Sequence, residues 1–159
     1  MRYQVSRSET IQAPAARIYG VIADYRHHHQ QIVPREYFRK VEVLAGGVGA
    51  GTRTRVEMRV LGSTRVFEHV ISEPEPGRVL VEADPDGSNA TTFTVEPVGG
   101  EAARVTIATE LVGRPGIVGV LERVVSTSML RRIYRKELGC LARYMAAQAA
   151  QSAAARQSR

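Results

Sequence analysis

Histidine, tyrosine, cysteine and the acids are the side chains here that could move a proton, attack a carbonyl or hold a metal. Their spacing decides which of these chemistries is on offer. His69 lies in a segment of alternating character and shares a side with Phe67 and Ile71. On a β-strand, positions two apart line one face, so the imidazole points where apolar groups point. There it can orient a ligand carbonyl or phenol, serve as a catalytic general acid or base, or rest as a buried histidine bonded to backbone or to Thr54. His27, His28 and His29 are consecutive. Neighbouring residues diverge on a helix or a strand, whereas metal ligands converge, as two histidines at i and i+4 do. The triplet therefore reads as a solvated polar loop, and no metal site is expected. Cys140 is the one cysteine, which excludes an internal disulfide, and nothing near it in sequence would activate a thiol. The glycine run 46–51 contains Gly47-Val48-Gly49 but leads into an alternating strand. A phosphate loop needs a helix N-terminus behind its glycines, so no nucleotide cofactor is expected, and no other cofactor either. No carboxylate pair is placed for glycosidase-like work, and Glu57 and Glu68 are predicted to face solvent.

Elements that could position these groups follow from hydrophobic periodicity. Residues 2–11 alternate, with Tyr3, Val5 and Ile11 on one side, and predict a first strand. Pro14 suits the first turn of a helix, and Ile18, Val21, Ile22 and Tyr25 recur at helical spacing over 14–25. Residues 26–35 are polar and read as a loop or a second short helix. Strands are predicted over 36–44, 52–61, 64 to about 72, 78–83, 90–97 and 103–112. A two-residue turn at Gly62-Ser63 would set Met58 opposite Phe67, Val56 opposite His69 and Thr54 opposite Ile71 on the apolar face. The outer face would then pair Arg59 with Val66, Arg55 with Val70 and Glu57 with Glu68, the last unfavourably.

Seven strands at hairpin spacing make an antiparallel meander with one wet and one dry face. The dry face must be covered, and the one element long enough is a helix beginning near Pro115. Its first apolar stripe is Ile117, Val118, Leu121, Val124 and Val125; a later one is Ile133, Leu138, Leu141 and Tyr144. The stripes differ in direction by roughly half a turn. This predicts a kink or break at Ser126-Thr127-Ser128, or two faces with different neighbours. Residues 1–147 are read as a single domain and 148–159 as a frayed tail.

An apolar fraction of 43% supports a core, and no run of about 18 apolar residues offers a membrane span. The opening residues carry no apolar secretion segment, so a cytoplasmic location is expected. The net charge of +6 is concentrated in residues 114–159, which hold nine basic and two acidic side chains. Arg123, Arg131, Arg132, Arg135, Lys136 and Arg143 could make weak contact with an acidic surface. Without aromatic interleaving or a DNA-reading motif, nucleic-acid binding is not expected. A homodimer is left open.

The order strand, short helices, six strands, long C-terminal helix resembles the SRPBCC superfamily of START-related and birch-pollen-allergen-like proteins, and its polyketide cyclase/dehydrase-like branch most of all. Three segments carry the resemblance. Ile11-Gln12-Ala13-Pro14 running to Tyr19 is similar to the superfamily's strand-to-helix entry, with Tyr19 where Trp is frequent. Phe93-Thr94-Val95-Glu96-Pro97-Val98-Gly99-Gly100, followed by Ala103 to Thr106, is similar to its penultimate hairpin. Leu130-Arg131-Arg132 through Leu141 is similar to its final helix. The resemblance implies an α+β helix-grip fold: a curved seven-stranded antiparallel sheet around the C-terminal helix, with two short helices between strands one and two.

It also implies a cavity between sheet and helix for an apolar small molecule such as a lipid, polyketide or aromatic metabolite. The wall expected from the register and stripes is Val56, Met58, Phe67, His69, Ile71, Phe93, Val95, Ile107 and Leu111, with Leu121 and Val125 from the helix. Tyr25 and Tyr37 would stand at the mouth. Binding or transport is the first reading. A polyketide cyclase, aromatase or dehydratase using His69 is the second, and an interaction module with a filled core is the third.

Overall fold

The computed structural model describes residues 2–158 and gives the order β1 (Arg2–Ile11), α1 (Ala15–Ala23), α2 (His29–Ile32), β2 (Phe38–Ala45), β3 (Arg53–Val60), β4 (Ser63–Glu75), β5 (Val79–Ala83), β6 (Ala90–Pro97), β7 (Ala103–Val112) and α3 (Gly116–Gln157). All seven strands join one sheet in the order β1-β7-β6-β5-β4-β3-β2, with every pairing antiparallel. It is the helix-grip architecture that the element order implied. The first strand closes onto the last, so the α1–α2 excursion crosses one end of the meander before β2 starts its far edge.

The β3–β4 hairpin turns one residue earlier than Gly62-Ser63. Leu61 and Gly62 occupy the two central positions, both with positive φ, +49° and +79°, as the tight turn favoured by twisted strands requires. Val60 therefore pairs with Ser63, Val56 with Phe67, and Thr54 with His69. Moving a turn by one residue slides the partner strand by two, and two is the side-chain period of a strand. Every inward residue thus stays inward while every partner changes. The slide also removes the unfavourable acid pair: Glu68 lies opposite Arg55 and accepts its Nη2 hydrogen bond at 2.7 Å, and Glu57 faces Val66. β4 runs on through Pro74, where the register with β5 shifts between Ser72 and Glu75; a bulge is where a strand tolerates proline.

The core forms where α1 and the C-terminal half of α3 meet the sheet. Ile18 and Ile22 from α1, Leu80, Val95 and Ile107 from the strands, and Ile133, Leu138 and Leu141 from α3 are all buried. Glu73 ties α1 to the glycine loop: its carboxylate accepts from the Tyr19 hydroxyl at 2.6 Å and from the Ala50 amide at 2.8 Å. A Cβ on Gly49 would stand 2.4 Å from that carboxylate, so this glycine is needed for close approach.

Helix α3 corrects three expectations. It is helical without a break from Gly116 to Gln157, because Ser and Thr each cost only a few tenths of a kcal/mol in a helix interior. The two apolar stripes find different surroundings instead. Ile133, Leu138 and Leu141 of the later stripe are buried and Tyr144 is half-buried, whereas Leu121 is 65% exposed and Val125 41%. Residues 148–157, expected to fray, remain helical; their alanines are the best helix formers. Arg159 lies outside the described residues. Among those described, no helix is long and apolar enough to cross a membrane.

Candidate functional site

Between the sheet's concave face and α3 lies a cavity of about 180 Å³, bounded by Tyr25, α2, strands β2 to β7 and the stretch of α3 from Leu130 to Glu137. Of the residues expected to form its wall, Val56, Met58, Phe67, His69, Phe93 and Leu111 do so. Ile71, Val95 and Ile107 are buried in the packed core and present no face to the cavity. Leu121 and Val125 lie on the exposed half of α3 and cannot reach it. Tyr37 is half-buried outside the lining, with Lys136 Nζ 5.6 Å from its ring centroid. Tyr25, expected at the mouth, is 1% exposed and deep in the interior.

That position follows from the end of α1. Asp24 caps the helix and its carboxylate accepts the amides of Arg26 and His27, at 3.1 and 2.9 Å. This local turn, in which a short acid bonds the backbone two or three residues on, swings Tyr25 toward the sheet. The Tyr25 hydroxyl donates to Glu82 Oε1 at 2.5 Å, and its ring stacks on His29 with centroids 4.2 Å apart. The histidine triplet is accordingly not a solvated loop. His27 is exposed, His28 meets the Tyr144 hydroxyl through Nδ1 at 2.6 Å, and His29 is buried. His29 Nδ1 lies 2.7 Å from the Ile22 carbonyl oxygen. A carbonyl only accepts, so Nδ1 carries the proton and Nε2 faces Glu82 Oε1 at 3.6 Å. Among the described residues no three His, Cys, Asp or Glu side chains are grouped as a metal would need.

Two of the carboxyl groups that line this cavity are Glu82 on β5 and Glu137 on α3. Glu137 is 5% exposed and makes no hydrogen bond or ion pair among the described residues. Burial, followed by the negative charge of Glu82, pushes its carboxyl up from 4.5 to about 8. It is therefore neutral near pH 7 and able to donate. Burial also raises the Tyr25 hydroxyl well above its ordinary value, assisted by Glu82's charge. Tyr134, three residues before Glu137 on α3, bonds Thr109, which bonds Thr91 at 2.7 Å. His69 Nε2 stands 3.8 Å from Asp84 Oδ1, while Asp84 Oδ2 accepts from Ser88 and Asn89 at 2.8 and 2.7 Å.

Both acids left a trace in the sequence. Glu82 shares a strand face with Leu80, and Glu137 stands at helical spacing between Ile133 and Leu141. An acid on an otherwise apolar stripe was the available signal. Two carboxyls in different environments, one neutral and one held by a phenol, form the arrangement that separates a proton donor from a proton acceptor.

Comparison with known proteins gives one family-model match, over residues 2–146, to polyketide cyclase / dehydrase and lipid transport proteins. No curated protein sequence matches. Among solved structures, the KanY protein determined by NMR superposes with a TM-score of 0.78 at 24% identity, covering 91% of this chain and 98% of its own. The ZhuI aromatase/cyclase from a Streptomyces species gives 0.72 at 16%, covering 91% and 94%. A START superfamily protein from Mycobacterium smegmatis gives 0.69 at 15%, covering 89% and 98%. At these identities the likeness establishes a common fold.

Proposed function

This chain belongs to the polyketide cyclase / dehydrase and lipid transport family, and on that footing we propose that it binds a small hydrophobic molecule in the cavity between β-sheet and α3. One observation carries the reading: a mainly apolar void of about 180 Å³ persists beside a core in which residue after residue is fully buried. Interiors are normally packed to crystal-like density, so a retained void with convergent polar groups is the usual form of a ligand site. Its size also selects. A cavity of about 150 Å³ suffices for benzene, so this one fits a single substituted ring better than a multi-ring polyketide or a two-chain lipid. Native mass spectrometry of the purified protein, looking for a retained small molecule, tests the reading. Val56→Phe, which fills the void from β3, should expel that molecule while far-UV circular dichroism stays unchanged. A retained molecule that is indifferent to Val56→Phe would place binding elsewhere and overturn the proposal.

A second reading, proton-transfer catalysis of the cyclase or dehydratase kind, is favoured by the Glu82–Glu137 pair. A neutral Glu137 would protonate a substrate oxygen while Glu82 or His69 removes a proton from carbon. Turnover abolished by Glu137→Gln with ligand binding retained would support it; turnover untouched by that change would sink it.

A further inference from the structure

We infer that the cavity is built for an aromatic ring bearing an amine, a cation, rather than for a neutral or an acidic molecule. The inference rests on the ligand-binding reading above and deepens it by assigning the charge of the ligand.

Three carboxyl side chains, Glu82, Asp84 and Glu137, line the cavity, and neither lysine nor arginine does. Only the two histidines offer positive charge, His29 Nε2 at 3.6 Å from Glu82 and His69 Nε2 at 3.8 Å from Asp84. Acids alone would not make a site. Here, however, Glu137 is 95% buried, lines the void and has no partner among the described residues. Buried polar groups in folded proteins are almost always satisfied, and buried charges are paired. No side-chain nitrogen or oxygen among the described residues is both sealed from solvent and without a partner, so the Glu137 carboxyl opens onto the void, where a donor carried by a ligand can meet it. Asp84 is already occupied by Ser88 and Asn89, and Glu82 by Tyr25; Glu137 is the open position.

The remaining wall suits a cation attached to a ring. Phe67, Phe93, Tyr25 and Tyr134 present aromatic surface to the cavity, and aromatic faces attract cations while edges and faces stack on rings. An ammonium contributes three donors, enough for Glu137 and for the free lone pairs of Glu82. A carboxylate ligand would lie beside the Glu82 carboxylate with no lysine or arginine in the lining to meet it. As the cation enters, Glu137 would ionise and release its proton, so binding of an amine should be accompanied by proton release near pH 7.

Calorimetric titration with three probes of nearly equal size, phenethylamine, phenethyl alcohol and phenylacetate, tests this. The amine should bind about tenfold or more tightly than the alcohol, the difference expected of a charge-assisted over a neutral hydrogen bond, and phenylacetate should bind most weakly. Heats in buffers of different ionisation enthalpy should show proton release for the amine alone. Glu137→Gln, which keeps the shape and removes the acid, should bring amine and alcohol to similar affinity. Alcohol binding equal to or tighter than amine binding would overturn the charge assignment and leave the hydrophobic-ligand reading standing. An amine preference that survives both Glu137→Gln and Glu82→Gln would overturn it as well. Failure of all three probes to bind would overturn the aromatic-amine assignment and leave the hydrophobic-ligand reading to the mass-spectrometric test.

Discussion

The hydroxyl of Tyr25 donates a 2.5 Å hydrogen bond to Glu82 across 57 residues of sequence, and it is the donor that holds the Glu82 carboxylate inside the cavity. Among the described residues, Glu82 is otherwise met only by His29 Nε2, at 3.6 Å. Tyr25→Phe keeps the ring and its stacking on His29 but strips a half-buried charge of its bond. The expected loss is about 1–3 kcal/mol, seen as a lower urea midpoint with an unchanged slope. A neutral result would mean that Glu82 reaches another donor without cost.

Glu137 predicts an unusual pH dependence. Its folded-state value, about 8, lies above the ordinary 4.5, so the folded protein holds the proton more tightly than the unfolded chain does. Below 4.5 both states are protonated and the group contributes nothing. As pH rises from there toward 8, folding is progressively penalised, by up to roughly 5 kcal/mol. Glu137→Gln removes the titration, so the variant should gain on the parent protein as pH rises through this window. Denaturant melts of both at several pH values decide it; parallel curves would refute the buried-acid account.

Leu61 is the one non-glycine residue among those described with positive φ, +49°, and is 75% exposed. A left-handed conformation costs an ordinary side chain about 1–2 kcal/mol, and the exposed leucine gains little in return. Leu61→Asn restores the Asn-Gly pair that this turn favours. It should stabilise by roughly 1 kcal/mol, a rise of about 2–4 °C in the thermal midpoint for a chain of this size. An unchanged or lower midpoint would show that the turn takes another form.

The two stripes of α3 should respond differently to truncation. Leu138 is fully buried, and Leu138→Ala should cost about 2–5 kcal/mol. Leu121 is 65% exposed, and Leu121→Ala should change stability by no more than about 0.5 kcal/mol. Equal losses would mean that the exposed half of α3 is covered in solution.

The faces of the strands were legible from the residues alone, for a physical reason. Alternation fixes side-chain direction with a period of two, so Val56, Phe67 and His69 point inward even though the turn sits one residue earlier than its Gly-Ser signal suggested. The partners across the hairpin were not legible, because they depend on which two residues accept positive φ. Of the expected wall, Val56, Met58, Phe67, His69, Phe93 and Leu111 line the cavity. A stripe on a helix says which residues lie together, but not whether the sheet reaches them; β7 ends at Val112, and Leu121 and Val125 are left in solvent.

Composition and periodicity by themselves determined the seven strands, their inner face and the covering helix. Only the tertiary structure decided the chemistry of the interior between them. Glu82 comes from β5, Glu137 from α3, and the stacked Tyr25–His29 pair from the stretch that leads from α1 into α2, and no local spacing relates the three. Their proximity, and the burial that keeps Glu137 neutral, exist only once the sheet has curled around α3 and removed water from between them, because a carboxyl takes its charge state from its surroundings and not from its neighbours in the chain.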